Sequence, residues 1–253
     1  MINKDIENMK PMHRLLIILG FLLGGLQCFS QSVSGELDGH QYVDLGLPSG
    51  TLWATCNVGA TEPTGSGDYF AWGEVKTKED YSWTTYKYSK GENNHLVKYC
   101  FEKDFGAVDQ KRVLEVVDDA VSYQWGVKWR MPSKEEFREL IDNCNWKWIS
   151  DFEGTGKAGQ VGTSKINGNK IFFPASGHRD TPIYKFAQMP GFSIPPITPK
   201  NGIEFENEFG GYWSSVLCDK GPMSAYLMNI GESLLEIGEC KRCIGCTIRA
   251  VAK

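Results

Sequence analysis

The chain has 253 residues and a formal net charge of −4 at pH 7, without a long basic run. Because a mildly acidic chain offers little to a phosphate backbone, nucleic acid is excluded as a leading partner. The length suffices for one domain with a sizeable core. Aromatic residues make up 12% of the chain and include eight tryptophans. Such residues serve as core or as platforms for flat ligands such as sugar rings, and core is the commoner fate.

The first thirty residues predict an export signal. The apolar run LLIILGFLLGGL follows Arg14 and is succeeded by the small residues Cys28 and Ser30, which is the arrangement of a cleavable signal peptide. We expect cleavage after Ser30, so that residues 1–30 are the signal peptide. Residues 31–253 are then a single exported domain, located in the periplasm, at the cell surface or outside the cell.

The same run bears on membrane attachment. A run of about twelve apolar residues is too short to cross a bilayer, which takes roughly twenty, and no later segment is comparably apolar. We therefore expect no membrane span after removal of the signal. Lipid attachment at Cys28 is an alternative, although Gln27 stands where a small residue is normally required.

Short strands follow the signal. YVDLG and TLWATC have strand composition and are joined through the turn residues Pro48, Ser49 and Gly50. Further along the chain, Asn167-Gly168 lies between VGTSKI and NKIFF, and this dipeptide is the strongest short signal for a β-hairpin. GYWSSV, SAYLMNI and CTIRAV are the later predicted strands.

One amphipathic helix is predicted over residues 134–144. Ser133 precedes it and Glu136 stands three residues later, which is the pattern of a capping box. Apolar residues then recur at i, i+3, i+4 and i+7, namely Phe137, Leu140, Ile141 and Cys144. Such spacing forms one buried helix face. Short strands with turns and a single clear helix indicate an α+β fold and not a βαβ repeat.

Five separated motifs carry a resemblance to a known family. They are YVDLGLPSGTLWATCNVGA, WRMPSKEEFREL, FFPASGHR, GGYWSSVL and RCIGCTIRAV. With these motifs the chain resembles the Fibrobacter-type major paralogous domain, a secreted bacterial module common in gut Bacteroidota, over nearly everything after residue 40. The resemblance implies a C-type lectin-like fold, with short, mostly antiparallel strands, one clear helix and long loops. It implies no single activity.

The stretch from Arg179 to Gly211 is predicted to be a long loop. It contains five prolines and has neither helical nor strand periodicity, and loops of this length in compact domains are usually functional or disordered. We expect it to form a recognition surface with Trp213, since aromatic groups supply stacking area and amides and carboxylates supply directional hydrogen bonds. The candidate contacts are Tyr184, Phe186, Glu206 and Asn207. Alternatively, Tyr184 and Phe186 pin the loop to the body and Trp213 belongs to the core.

Motifs for catalysis, cofactors and metals are weak. GTGKAG matches the dinucleotide fingerprint, but a hairpin follows it where a helix is needed. The acidic group around Glu204 and Glu206 could supply oxygen ligands to calcium, a solvated loop being the commoner interpretation. The histidines beyond the signal lack metal-site or triad spacing. We therefore predict no catalytic residue, no cofactor and no metal.

Seven cysteines follow the predicted cleavage site, an odd number that leaves at least one thiol unpaired. Cys240, Cys243 and Cys246 resemble a metal clip, but a spacing of three on a strand places Cys243 opposite its neighbours. Metal binding and redox chemistry are alternatives to buried thiols or disulfides at these positions. Cys144 and Cys56 are expected to be buried, either bonded to each other or as unreactive thiols.

The leading functional prediction is a non-catalytic binding module, secreted or at the cell surface, which recognises a glycan or a surface protein. A rigid scaffold that carries binding residues on its loops supports this interpretation. The first alternative is a structural or assembly component of a surface appendage, which a long exposed β edge would favour. The second is a cysteine-dependent oxidase resembling formylglycine-generating enzymes, because Cys240 and Cys246 lie in a comparable place near the C-terminus.

Overall fold

The computed structural model describes residues 30–180 and 202–253. Its strands are β1 (Gly35–Leu37), β2 (His40–Asp44), β3 (Leu52–Asn57), β4 (Trp129–Arg130), β5 (Cys144–Ile149), β6 (Gly159–Ser164), β7 (Lys170–Pro174), β8 (Phe209–Leu217), β9 (Ser224–Gly231), β10 (Leu234–Lys241) and β11 (Arg249–Ala252). The α-helices are α1 (Ala120–Trp125) and α2 (Lys134–Asn143), and short 3-10 turns occupy Lys103–Phe105, Val116–Asp118 and Phe152–Gly154.

The predicted α+β, C-type lectin-like fold class is wrong, because the described part of the chain is predominantly antiparallel β-structure. Strand β5 begins at Cys144, the last residue of the predicted helix, and β10 covers LLEIGECK, a segment without a predicted strand. Both strands are stabilised by pairing with a neighbouring strand. Their own residue pattern therefore gives little indication of a strand.

The described strands form three antiparallel sheets. The largest is curled and has the order β1-β2-β3-β11-β4, so the C-terminal strand β11 lies inside it. Residues of β11 are all buried, as expected for a strand covered on both faces. The other sheets have the orders β10-β9-β8 and β5-β6-β7. The hairpin predicted at Asn167-Gly168 is confirmed, since β6 and β7 pair across it and Gly168 has a φ of 79°.

Helix α2 begins with the predicted capping box. The backbone N–H of Glu136 donates to Ser133 Oγ at 3.2 Å, and the Ser133 N–H donates to Glu136 Oε2 at 2.9 Å. Arg130 binds the same carboxylate through both of its terminal nitrogens, and this pairing lowers the pKa of Glu136 against the opposing effect of burial. Phe137 and Leu140 are fully buried, whereas Ile141 packs at the margin of the core.

Replacing Ser133 with alanine should lower the free energy of unfolding by about 1 kcal/mol, because one N-terminal backbone N–H of α2 loses its acceptor. Urea unfolding of the purified protein measures this change. Ser233→Ala is a matched control, since Ser233 is exposed outside the strands, and it should change stability by less than about 0.5 kcal/mol. Equal stability of the two variants would show that the capping bond contributes nothing.

Two arginines of the RCIGCTIRAV motif lie fully buried. Arg242 donates to the hydroxyl of Tyr86 and to the backbone carbonyls of Lys98, Tyr99 and Pro222. Its guanidinium also lies 5.1 Å from the centre of the Trp72 ring. The side chain therefore joins four separate segments, those of Trp72, Tyr86, residues 98–99 and Pro222, through neutral acceptors and aromatic rings. Arg249 donates to Asn57 and to carbonyls of β3 in the same manner.

Candidate functional site

The candidate site is a depression over one face of the sheet formed by β8, β9 and β10. Side chains that are directly paired across neighbouring strands project to the same face. Tyr212 pairs with Met228, and Met228 with Ile237, and these residues pack with Phe137 of α2 in one core cluster. On the opposite face Trp213 pairs with Leu227 and Leu227 with Gly238, while Gly211 pairs with Asn229.

Two glycines let neighbouring side chains pack close to the sheet on that opposite face. A Cβ atom added to Gly238 would lie 2.2 Å from Asn229 Nδ2, and one added to Gly211 would lie 3.3 Å from Cys246 Sγ. The amide of Asn229 therefore lies directly over the backbone of Gly238, in space that any other residue would occupy. Glycine on each outer strand therefore admits a neighbouring side chain directly against the backbone.

The cavity over this face of the sheet has a volume of about 380 Å³, which falls in the range of small-ligand sites. Its apolar lining comes from Phe209, Leu227 and Ile244, and its charged and polar lining comes from His178, Asp180, Asn229, Glu239 and Lys241. Cys240 and Cys246 complete the wall. An apolar base with polar groups around it can hold a ligand by contact area and orient it by hydrogen bonds.

The cavity lies where the two ends of the predicted recognition loop meet the body. Arg179 and Gly245 exchange two backbone hydrogen bonds of 2.8 Å, and this pairing holds the first end. His178 and Glu204 exchange bonds of 3.1 and 2.9 Å, which hold the second end against the first. The His178 ring stacks on Phe205 with centroids 5.7 Å apart, and Phe205 remains 55% exposed. An exposed aromatic side chain thus lies beside His178, which lines the cavity.

The predicted contact residues lie in different places, and none of those described lines the cavity. Tyr184 and Phe186 lie outside the described residues. Glu206 forms an ion pair of 2.6 Å with Lys157. Asn207 has a φ of 67°, and its Oδ1 accepts a 3.0 Å bond from the Ala158 N–H, so its side chain holds the loop to the neighbouring sheet. Neither Glu206 nor Asn207 lines the cavity.

Trp213 is corrected from the recognition surface to the core. Its indole is fully buried, and Nε1 donates a 2.7 Å bond to the Phe70 carbonyl. A side chain without exposed area cannot stack on a ligand. Sequence reasoning missed Asn229, the polar residue of β9 on the cavity face, because isolated polar residues on strands normally face solvent. Only the register next to Gly238 and Gly211 distinguishes this face.

The thiols of the cavity wall influence each other. Cys240 and Cys246 both line the cavity, and the interaction between their side chains lowers the pKa of Cys240 and raises the pKa of Cys246. The nearby Cys243 is buried, and burial raises its pKa to about 12. Across residues 30–180 and 202–253, no group of three or more His, Cys, Asp or Glu side chains is placed to hold a metal ion.

Two other cavities have polar groups that are already engaged. One of about 430 Å³ is lined by His40 and Trp125, but these rings stack on each other with centroids 3.7 Å apart. The other, of about 520 Å³, is lined by Asp119 and Glu136, whose carboxylates cap α1 and α2. Both sets of groups serve the fold, so we place the candidate site over β8–β10.

The described cysteines form no disulfide. The expectation for Cys144 is confirmed, since it is buried and burial raises its pKa to about 11. The expectation for Cys56 is wrong, because this thiol is partly exposed and borders the cavity beside His40. The alternation of β3 places Trp53 in the core, but Cys56 lies at the end of the strand, where no described element covers it fully.

A thiol-labelling experiment should separate these two cysteines. In the native protein at pH 8, Cys56 should react with iodoacetamide at least tenfold faster than Cys144, because Cys56 is partly exposed whereas Cys144 is buried and burial raises its pKa. Peptide mass spectrometry at successive times gives both rates in one sample, and unfolding in urea should equalise them. Faster labelling of Cys144 in the native state would contradict its burial.

Searches against protein families, curated proteins and solved structures found no match for this chain. In the described part of the chain, none of the helices has the length and hydrophobicity needed to cross a bilayer.

Proposed function

We propose that the protein is an exported, non-catalytic binding module for a glycan or a surface protein, and that the cavity over β8–β10 contributes to its binding surface. One observation carries this proposal: a concave face with an apolar base and polar rim lies where the two ends of the Arg179–Gly211 segment are held together. Sugars and peptides present both apolar patches and hydrogen-bonding groups, so a site for either needs this mixture.

The amide of Asn229 is the group best placed to orient a ligand. It lies over Gly238 on the cavity base, and an amide both donates and accepts hydrogen bonds. Asp180 adds a carboxylate at the wall, which suits the hydroxyl donors of a sugar or the N–H groups of a peptide. Tyr184 and Phe186 stay predicted contacts of the same surface.

A glycan array probed with the purified protein tests the proposal. If a glycan binds, Asn229→Ala should weaken its binding at least tenfold, about 1.4 kcal/mol, with the melting temperature unchanged. Asn145→Ala is the matched control, because Asn145 is exposed on β5 in a different sheet, and it should leave binding intact. If a bound glycan tolerates both Asn229→Ala and Asp180→Ala, the site lies elsewhere. Tyr184→Ala tests the predicted loop contact separately.

An assembly role is the second candidate, and strand β10 favours it. This eight-residue strand is an edge of its sheet, and no described strand pairs with its outer side. An unpaired edge offers backbone donors and acceptors to another strand. Light scattering over a range of concentrations should then show association, with slowed amide exchange in alternate residues of β10. A monomer at all concentrations with unprotected β10 amides would speak against self-assembly.

Export itself is part of the proposal. The protein recovered from the producing cell envelope should begin at Gln31, because Cys28 and Ser30 are the small residues that precede this point. Intact-mass measurement determines the N-terminus directly. A lipid-modified Cys28 would instead add the mass of its acyl chains, and an unprocessed Met1 would contradict export through a cleaved signal.

A further inference from the structure

Exposed apolar side chains gather in one stretch of the chain, between residues 113 and 127. Val116 is 60% exposed and Val127 is 78% exposed. Soluble proteins rarely leave several such side chains close together at the surface unless a partner covers them. The set consists of Val113, Val116, Val117, Tyr123 and Val127. This stretch is therefore a candidate for a second contact surface.

Three of these valines line the cavity of about 520 Å³. Val113, Val116 and Val127 form the exposed part of its wall, while the half-buried Leu114 and the buried Met131 extend the apolar surface inward. The volume falls in the range of small-ligand sites, and a wall of this composition suits an aliphatic side chain. The exposed valines therefore border a hollow and do not lie on a flat surface.

The carboxylates of this cavity and its one arginine already have partners within the fold. Asp119 accepts hydrogen bonds from two backbone N–H groups of α1 and from that of Met131. Glu136 accepts from Arg130 at 2.7 Å and also belongs to the capping box of α2. These groups hold the fold together and have little capacity left for a ligand. The apolar wall is therefore the main contact area that the cavity offers.

The backbone beside the cavity has an open hydrogen-bonding side. Val113 forms an antiparallel bridge with Val216 of β8, and backbone bonds of 2.9 and 2.8 Å join residues 114 and 112 to that strand. In a bridge with this pattern, the N–H and C=O of the central residue point away from the partner strand. Within the described residues, no backbone group pairs with the N–H or C=O of Val113. A donor and an acceptor thus remain for a further strand.

We propose that the surface of Val113, Val116 and Val127 docks an extended peptide segment of a partner protein. One residue of the segment exchanges backbone hydrogen bonds with Val113, and a neighbouring aliphatic side chain enters the cavity. Backbone pairing identifies the occupant as a polypeptide in strand conformation. A lipid chain fills an apolar cavity but offers no N–H to the carbonyl of Val113.

This surface is separate from the candidate site over β8–β10. The two cavities share no lining residue. It is also separate from the open edge of β10, because in the order β10-β9-β8 the bridge at Val113 lies at the opposite end of the sheet. The inference therefore goes beyond the proposed function, and either can fail without the other.

The probe is a phage-displayed library of random linear peptides, selected on the purified protein. Enriched peptides should share a Val, Ile or Leu at one position and lack proline beside it. A synthetic copy of the most enriched peptide should slow amide exchange at Val113. Copies methylated at one backbone nitrogen each should include one that binds at least tenfold more weakly, because its N–H no longer reaches Val113. Equal affinity of all the methylated copies would overturn the strand pairing.

Variants of the protein test the cavity. Val116→Asp and Val127→Asp each place a carboxylate in the exposed wall and should weaken binding of the same peptide at least tenfold. Ile166→Asp is the matched control, because Ile166 is 53% exposed in the hairpin between β6 and β7, and it should leave binding intact. Circular dichroism verifies folding, and Val127→Ser replaces an aspartate variant that unfolds.

Two results would overturn the proposal. The first is a selection that enriches no peptide. The second is a peptide whose binding survives the substitutions at Val116 and Val127. If such a peptide is lost with Asn229→Ala, it occupies the candidate site over β8–β10, so the outcome would support that site while rejecting this one.

Discussion

Replacing Arg242 with alanine should lower the free energy of unfolding by about 4 kcal/mol or more, a loss reserved for buried networks and large cavities. The side chain is fully buried. Its removal leaves the carbonyls of Lys98, Tyr99 and Pro222 without their donor and empties the space beside the Trp72 ring. A buried acceptor without a partner loses its hydration and gains nothing in return.

Urea unfolding of three variants measures this effect. Arg242→Lys keeps the charge but cannot reach four acceptors with one ammonium group, so its loss should also exceed about 2 kcal/mol. Arg138→Ala removes an exposed arginine of α2 and should change stability by less than about 0.5 kcal/mol. If Arg242→Ala lost no more than this control, the guanidinium would not be holding its four segments together.

Replacing Leu140 with alanine should lower the free energy of unfolding by about 2 to 5 kcal/mol, the cost of a cavity in a packed core. Leu140 has no exposed area and packs in the cluster that joins α2 to Tyr212 and Met228. This helix supports the face of the sheet opposite the candidate site. The loss should therefore appear both in global unfolding and as faster amide exchange in β8 and β9.

Two variants calibrate the Leu140 measurement. Ile141→Ala removes a side chain at the margin of the same cluster, so it should cost less than Leu140→Ala. Val127→Ala removes a side chain that is 78% exposed, and it should be neutral within about 0.5 kcal/mol. An unchanged melting temperature for Leu140→Ala would mean that the helix does not pack on the sheet as described.

Features that depend on near neighbours in the sequence could be predicted. The capping box of α2 joins Ser133 to Glu136, three residues apart, and the apolar spacing behind it already identifies Phe137 and Leu140 as core. The Asn167-Gly168 hairpin depends on one turn with a positive φ, which Asn and Gly tolerate. In both cases, the residues that form the feature lie within one turn of chain, so the pattern contains the interaction.

Features that depend on strand order could not be predicted in this way. The fold class was wrong because β10 has no strong strand pattern of its own and is formed by full pairing with β9. The sequence pattern allows Trp213 at the surface, because an aromatic residue on a strand gives the same sequence signal whether its face of the sheet is buried or exposed. The hydrogen bond from its indole to Phe70 joins residues 143 positions apart.

The sequence by itself determined the local elements: where α2 begins, which of its faces is apolar, where the hairpin turns and which segments are rich in strand-forming residues. The tertiary structure alone decided that β8, β9 and β10 share a sheet, and that Asn229 and Cys246 pack against Gly238 and Gly211 on one face of it. The physical reason is the separation in the sequence between the residues that interact. Capping and turn geometry are set by bonds between near neighbours, whereas a cavity is made by the register of strands that are distant in the sequence.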